Sequence, residues 1–206
     1  MALILDHVFC FCDNALHESR VLAEAGFNLT AGKRHHGQGT ANRSVVFETN
    51  YLELIFLNSR TDAQANSLRL DRRADWRFSG SSPFGIALRG TLEPEDAIHF
   101  TEYRPPYNPA SRILIHKFDT TQPDFPLLFV MPSTGQNVKF KDFNGHLNGS
   151  TNIAHVEVSS RSSWPLVEMV PQITVAKSDL SECSLTLKGP RTFSLEINET
   201  LRLAVR

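Results

Sequence analysis

Two side chains able to do chemistry stand where an alternating pattern otherwise places apolar residues. One is His7, in Leu3-Ile4-Leu5-Asp6-His7-Val8-Phe9-Cys10-Phe11; the other is Glu53, in Tyr51-Leu52-Glu53-Leu54-Ile55-Phe56-Leu57. Residues two apart in a strand share a face. That spacing predicts His7 on the face of Leu5, Phe9 and Phe11, and Glu53 on the face of Tyr51 and Ile55. An ionised carboxylate on an apolar face is costly unless it is paired, hydrogen-bonded or bound to a metal. Glu53 therefore needs a partner, and His7 is suited to share a ligand with it.

The elements that must position this pair follow from periodicity and punctuation. A strand over 3–11 is followed by a helix from about Asn14 to Glu24, closed by Gly26, with Asp13 and Asn14 as candidate N-caps. Ala15, Leu22 and Ala25 give that helix a modest apolar stripe, with Glu18 and Arg20 facing out. Next come His35-His36-Gly37-Gln38-Gly39-Thr40-Ala41-Asn42-Arg43, the apolar run Ser44-Val45-Val46-Phe47, and the Glu53 strand. By itself the histidine stretch reads as a Gly-rich hairpin connection with solvated side chains.

This βαβββ unit, with His on its first strand and Glu on its last, resembles the vicinal oxygen chelate superfamily, and most closely its glyoxalase-like domain proteins. A segment of the type His-x-Gly-x-Gly-Thr-x-Asn is typical of that branch, and His35, Gly37, Gly39, Thr40 and Asn42 fill it, with His36 where proline is often found. A later His-Pro-Asn-Gly element is similar to His146-Leu147-Asn148-Gly149. The resemblance implies an α+β fold of βαβββ modules forming curved mixed or antiparallel sheets around a cleft. It implies a divalent metal (Zn, Mn, Fe, Ni or Co) held by His7, Glu53 and a third ligand, His146 or His155, with Glu53 also catalytic. His35, Thr40, Asn42, Arg43 and Asn148 then become substrate-binding candidates. Arg43 offers a planar fork for a carboxylate or phosphate.

Residues 58–82 form a polar connector with a short helix around Ala63 to Ala74 and a charged, solvated face. A second module over 83–132 starts at Phe84-Gly85-Ile86-Ala87-Leu88-Arg89, continues with a helix from Glu93 to Tyr103 stopped by Pro105-Pro106, and adds strands at Ile113–Phe118 and Leu127–Met131. Aligned on the first module, Gly85 falls in the slot of His7 and Phe129 in that of Glu53, and neither can ligate a metal. Residues 133–206 read as a loop plus a partial third module within one domain. There His155 occupies the His7 slot, Phe193-Ser194-Leu195-Glu196-Ile197 echoes the Glu53 strand, and Pro165 and Pro171 leave only five residues for a helix.

At 206 residues, 41% apolar and 21% charged, the chain can bury a sizeable core. A net charge of -1 gives no basic field for a nucleic acid or an anionic membrane. No stretch reaches the ~20 apolar residues of a membrane span. Cys10, Cys12 and Cys183 have no disulfide spacing, and the first two read as small buried hydrophobes. With no signal-peptide pattern, the expected location is the cytoplasm. The expected partner is a small molecule, with homodimerisation open. Two functions remain: a metal-dependent lyase, isomerase or dioxygenase acting on a small oxygenated or carbonyl compound, or a metal-free binding protein of the bleomycin-resistance kind. Retention of His7 with Glu53 and the His-x-Gly-x-Gly-Thr-x-Asn segment favour the first; the vacant Gly85 and Phe129 slots and the 14 Phe residues favour the second.

Overall fold

The computed structural model describes residues 3–118, 122–132, 140, 143–161 and 170–206. Alternating sequence becomes β1 (Ile4–Phe11), β2 (Lys33–His35), β3 (Thr40–Val46) and β4 (Tyr51–Leu57), with helix α1 (Leu16–Glu24) after β1. The Asn14 side chain accepts from the Leu16 N–H at 2.9 Å to start α1, and Gly26 ends it in a left-handed conformation. Glu18 faces inward, against the periodicity reading: it is buried and accepts from Asn198 Nδ2 at 3.1 Å.

The connector folds into α2 (Arg60–Ala65), α3 (Leu70–Ala74) and α4 (Trp76–Ser79). Its charges are not all solvated. Arg73 is buried and donates to the carbonyls of Ser82 and Phe125, both at 2.9 Å. The second module comprises β5 (Phe84–Gly90), α5 (Pro94–Ala97), β6 (Phe100–Tyr103), β7 (Ile113–His116) and β8 (Leu127–Pro132). The helix expected over 93–103 is thus only one turn. Phe100 and Tyr103 instead bury their rings on a strand that pairs with β7, a nonlocal gain that local helix signals cannot register.

These two modules form one eight-stranded mixed sheet in the order β2-β3-β4-β1-β5-β8-β7-β6. The first module therefore joins the second, through antiparallel β1 and β5. That ladder skips a residue between Leu5 and His7, a β-bulge at Asp6. The bulge corrects the face assignment: Leu5 turns into one core with Val8 and Cys10, whereas His7, Phe9 and Phe11 face the other side.

The C-terminal strands are β9 (Asn152–Ser160), β10 (Ile173–Lys177), β11 (Cys183–Lys188), β12 (Phe193–Glu196) and β13 (Leu201–Val205). They form a second sheet, β10-β9-β11-β13-β12. Its apolar face (Val156, Val158, Leu185, Leu203) packs in one cluster with Val8, Leu54, Ile86 and Val130 from the back of the first sheet. Most of the stretch bracketed by Pro165 and Pro171 lies outside the described residues. No helix among the described residues is long and apolar enough to cross a membrane.

Candidate functional site

His7 and Glu53 meet on adjacent parallel strands, because Phe9 of β1 pairs with Glu53 of β4 and His7 with Tyr51. His7 Nε2 lies 3.6 Å from Glu53 Oε2, and the residues are only 4% and 6% exposed. The other ring nitrogen, Nδ1, is 2.7 Å from Asp6 Oδ1, and Arg89 Nε donates to Asp6 Oδ2 at 2.6 Å. Burial alone would raise the Asp6 carboxyl, but the His7 bond and the Arg89 charge hold it below the usual carboxylate range. The His7 ring stacks on Tyr51, with centroids 4.2 Å apart, and meets the Phe129 ring edgewise at 5.3 Å. Asn42 Nδ2 donates to Glu53 Oε1, while Asn42 Oδ1 accepts from the Lys33 N–H at 2.9 Å. Glu53 is therefore clamped by one oxygen, with the other facing His7.

Does this set hold the divalent metal that the fold implies? Phe9 pairs with Glu53 two residues beyond the His7 pair, and Ala87 pairs with Phe129 two residues beyond the Gly85 pair. Gly85 and Phe129 thus occupy the second-module equivalents of His7 and Glu53. The Phe9 ring fills the space over Gly85, where an added Cβ would sit 2.0 Å from Phe9 Cε1. No group of three or more His, Cys, Asp or Glu among the described residues can hold a metal. Two donors with the opposite half walled by phenyl rings do not fit a resident divalent ion.

What the pair does face is a cavity of about 260 Å³. Its walls are largely apolar: Phe9, Ile55, Ile113, Ile115, Leu127 and Phe129 from the sheet, with Leu68 and Leu70 from the connector. Also in the lining, His35 stacks on Tyr107, centroids 4.5 Å apart, and the Lys33 ammonium lies 5.5 Å from the Tyr107 ring centre. Thr40 does not line the cavity. It is buried behind the site, where its hydroxyl lies 3.0 Å from His35 Nδ1 and accepts from Gln38 Nε2 at 3.0 Å. Tyr103 donates to Gln38 Oε1 at 3.0 Å, and Asn66 Nδ2 donates both to the Tyr103 hydroxyl and to the Gly37 carbonyl at 3.1 Å. Gly39, at φ +80°, lets this loop pass so close to α2 that an added Cβ would lie 2.3 Å from the Ser59 carbonyl oxygen. Burial lowers the His35 pKa even though Glu53 pulls it up, and burial together with Glu53 pushes the Tyr107 hydroxyl up to about 12.

Of the residues expected at the site, His7, Glu53, Asn42 and His35 line the cavity together, and Thr40 braces His35. The others lie elsewhere. Arg43 is a correction forced by strand alternation: it pairs with Leu54 on the opposite face from Asn42, and its Cγ packs by Gly32. His146 does not reach Glu53's side of the sheet. It sits between Phe27, Phe47 and Phe143, accepts from the Asn28 N–H at 3.1 Å, and has its pKa lowered by burial. Asn148 donates to the Ala25 carbonyl at 2.8 Å and accepts from the Ser150 N–H at 2.9 Å, which ties the loop to the end of α1. His155 belongs to the second sheet, with Nε2 2.9 Å from the Thr174 hydroxyl. Lys33, Gln38, Leu68, Leu70, Tyr103 and Tyr107 carried no sequence signal of their own. The two tyrosines lie beside Pro105-Pro106, a loop mark that could have drawn attention to them.

The sequence profile of the Glyoxalase-like domain matches residues 5–173. A hypothetical protein from Staphylococcus aureus has a similar structure over 100% of both chains, at 14% identity and a TM-score of 0.55. A methylmalonyl-CoA epimerase from Streptomyces coelicolor matches 66% of this chain and 100% of its own, at 17% identity and a TM-score of 0.43. A hypothetical protein from Bacillus halodurans matches 66% and 98%, at 12% identity and a TM-score of 0.44. No curated protein matches the sequence. With its profile match covering most of the length, the chain belongs to the glyoxalase-like domain family.

Proposed function

We propose that this protein binds one small, mainly apolar molecule and acts on its oxygen-bearing end by acid–base chemistry, with Glu53 as the proton-transfer group and no resident metal. The observation that carries the reading is the buried His7–Glu53 pair opening onto the cavity, with one Glu53 oxygen fixed by Asn42 and the other facing His7. A carboxylate so placed takes a proton from carbon next to a carbonyl and returns it to the neighbouring position, the logic of an isomerase or lyase. Lys33 is the one formal cation among the described lining residues and offsets the charge that builds on the ligand oxygen. The Tyr107–His35 stack adds two further rings to the cavity lining. The buried, unpaired thiols of Cys10, Cys12 and Cys183 suit a reducing compartment, in keeping with a cytoplasmic protein.

The apolar walls support a second reading, metal-free sequestration, because Ile55, Leu68, Leu70, Ile113 and Leu127 bind without doing chemistry. One experiment separates the two. The protein is incubated in D2O with small α-hydroxy ketones such as 2-hydroxyacetophenone, and deuterium entry beside the carbonyl is followed by NMR. Enzyme-dependent exchange that Glu53→Gln abolishes supports catalysis. Ligand-induced thermal stabilisation with no exchange supports sequestration, and neither effect across the series sinks both.

A further inference from the structure

The bulge residue Asp6 has no backbone reason to be an aspartate. In the second sheet, β9 pairs with β11 through the same irregularity: His155 faces Thr186 and Ile153 faces Leu187, so Ala154 is the bulged residue just before the histidine. Alanine makes that bulge as well as aspartate does. Asp6 is nonetheless buried, and a buried carboxylate is expensive unless its oxygens are used. Both are: Oδ2 accepts from Arg89, and Oδ1 faces His7 Nδ1 at 2.7 Å. Arg89 is buried as well, anchored by a second bond from Nη2 to the Thr49 carbonyl at 3.1 Å.

An ionised carboxylate only accepts, so the proton in the 2.7 Å contact sits on His7 Nδ1. In the neutral ring Nε2 is then a bare acceptor. Were Nε2 protonated too, it would form a charge-assisted bond to Glu53 of about 2.7–2.9 Å. At 3.6 Å, Nε2 and Glu53 Oε2 make no hydrogen bond to each other. A ketone oxygen, itself an acceptor, finds no partner between them, whereas a hydroxyl donates to either one.

We infer that Arg89 and Asp6 are positioning residues that lock His7 as its Nδ1–H tautomer, so that the cavity floor selects a ligand whose polar end is a hydroxyl rather than the matching ketone. This rests on the binding reading above and names the ligand class for that site.

The test uses the full chain, labelled with 15N-histidine, and two probes of equal size, 1-phenylethanol and acetophenone. In the wild type the His7 nitrogens resonate as the Nδ1–H tautomer, and the alcohol binds roughly tenfold more tightly than the ketone, as followed by titration of Ile113 and Ile115 methyl shifts. In Asp6→Asn, Arg89 still needs an acceptor and claims the amide oxygen, which turns the amide NH2 toward His7 Nδ1. The ring then switches to Nε2–H, which gives the ketone a donor while Glu53 still accepts from the alcohol, so the tenfold preference for the alcohol narrows. A wild-type His7 that is Nε2–H or doubly protonated at neutral pH overturns the inference without any variant having to fold. So does equal affinity for the two probes, which leaves the binding reading intact. A wild-type cavity that takes up neither probe counts against the binding reading itself and, with it, the hydroxyl preference.

Discussion

The two sheets share a plan and differ in what covers them. In the first, β4-β1-β5-β8-β7 runs parallel, antiparallel, parallel, antiparallel; in the second, β10-β9-β11-β13-β12 repeats that order and sense. Each first strand carries a bulge followed by histidine, and the registers align His7 with His155, Glu53 with Thr174, Phe9 with Glu157 and Gly85 with Ser184. The partial third module expected from sequence is therefore a shortened copy of the whole central pair. Glu53's counterpart is Thr174 on β10 rather than Glu196 on the edge strand β12. Among the described residues, a connector and a β6–β7 loop put Leu68, Leu70 and Tyr107 over the face of the first sheet. On the copy Glu157, Thr174 and Arg202 are exposed to solvent. Strand order and a bulged histidine do not by themselves make a site. Enclosure makes it, because a charged pair gains chemical leverage only where water is excluded.

The sharpest way to break this contrast is at the paired acid positions. Glu53→Gln should lower deuterium exchange by about 10²–10⁴-fold, the usual contribution of a positioned acid–base group. Thr174→Val, its counterpart, should leave the rate unchanged. A comparable loss from both would show that the copy contributes to activity.

The shared core gives the next largest effect. Leu54→Ala on the first sheet and Leu185→Ala on the second each empty a fully buried site, at about 2–5 kcal/mol. Both should lower a single urea transition, since the two sheets bury one cluster. Two separated transitions in Leu185→Ala would make the sheets independent units.

Gly85→Ala should cost about 1–3 kcal/mol by overpacking, because the Phe9 ring already occupies the space of a Cβ. It should also weaken binding of 1-phenylethanol by displacing that ring into the cavity. Ser184→Gly at the equivalent position should change denaturation little.

The smallest effect is a pH slope belonging to the first sheet. His116 on β7 is buried, and burial, with His99 and Lys117 nearby, lowers its pKa to about 4. Unfolded, it takes up a proton near pH 6.5. The unfolded chain thus binds more protons between these values, so stability is full above about pH 6.5 and falls as pH drops towards 4. His35 and His146, whose pKa values are also lowered, add in the same sense. His116→Gln keeps an acceptor for the Phe118 N–H and should flatten part of the slope in melting temperature. An unaltered slope would remove His116 from the account.

Local pattern was enough to reveal the first βαβββ module, the inward pair His7 and Glu53, the burial of Cys10 and Cys12, and Gly85 and Phe129 standing where ligands would otherwise be. Alternation, helix stops and residue chemistry are written within a few positions of one another, so they can be read without knowing what lies across the fold. The sequence could not show that one bulged residue turns Leu5 away from His7 and brings Asp6 onto its ring. Nor could it show that Phe100–Tyr103 would be a strand, that Arg43 and His146 would end behind the sheet, or that Leu68 and Tyr107 would close the cavity. Each of these depends on contacts between residues far apart in the chain, where the gain from burying a ring or satisfying a buried charge outweighs the weak preference of the local segment.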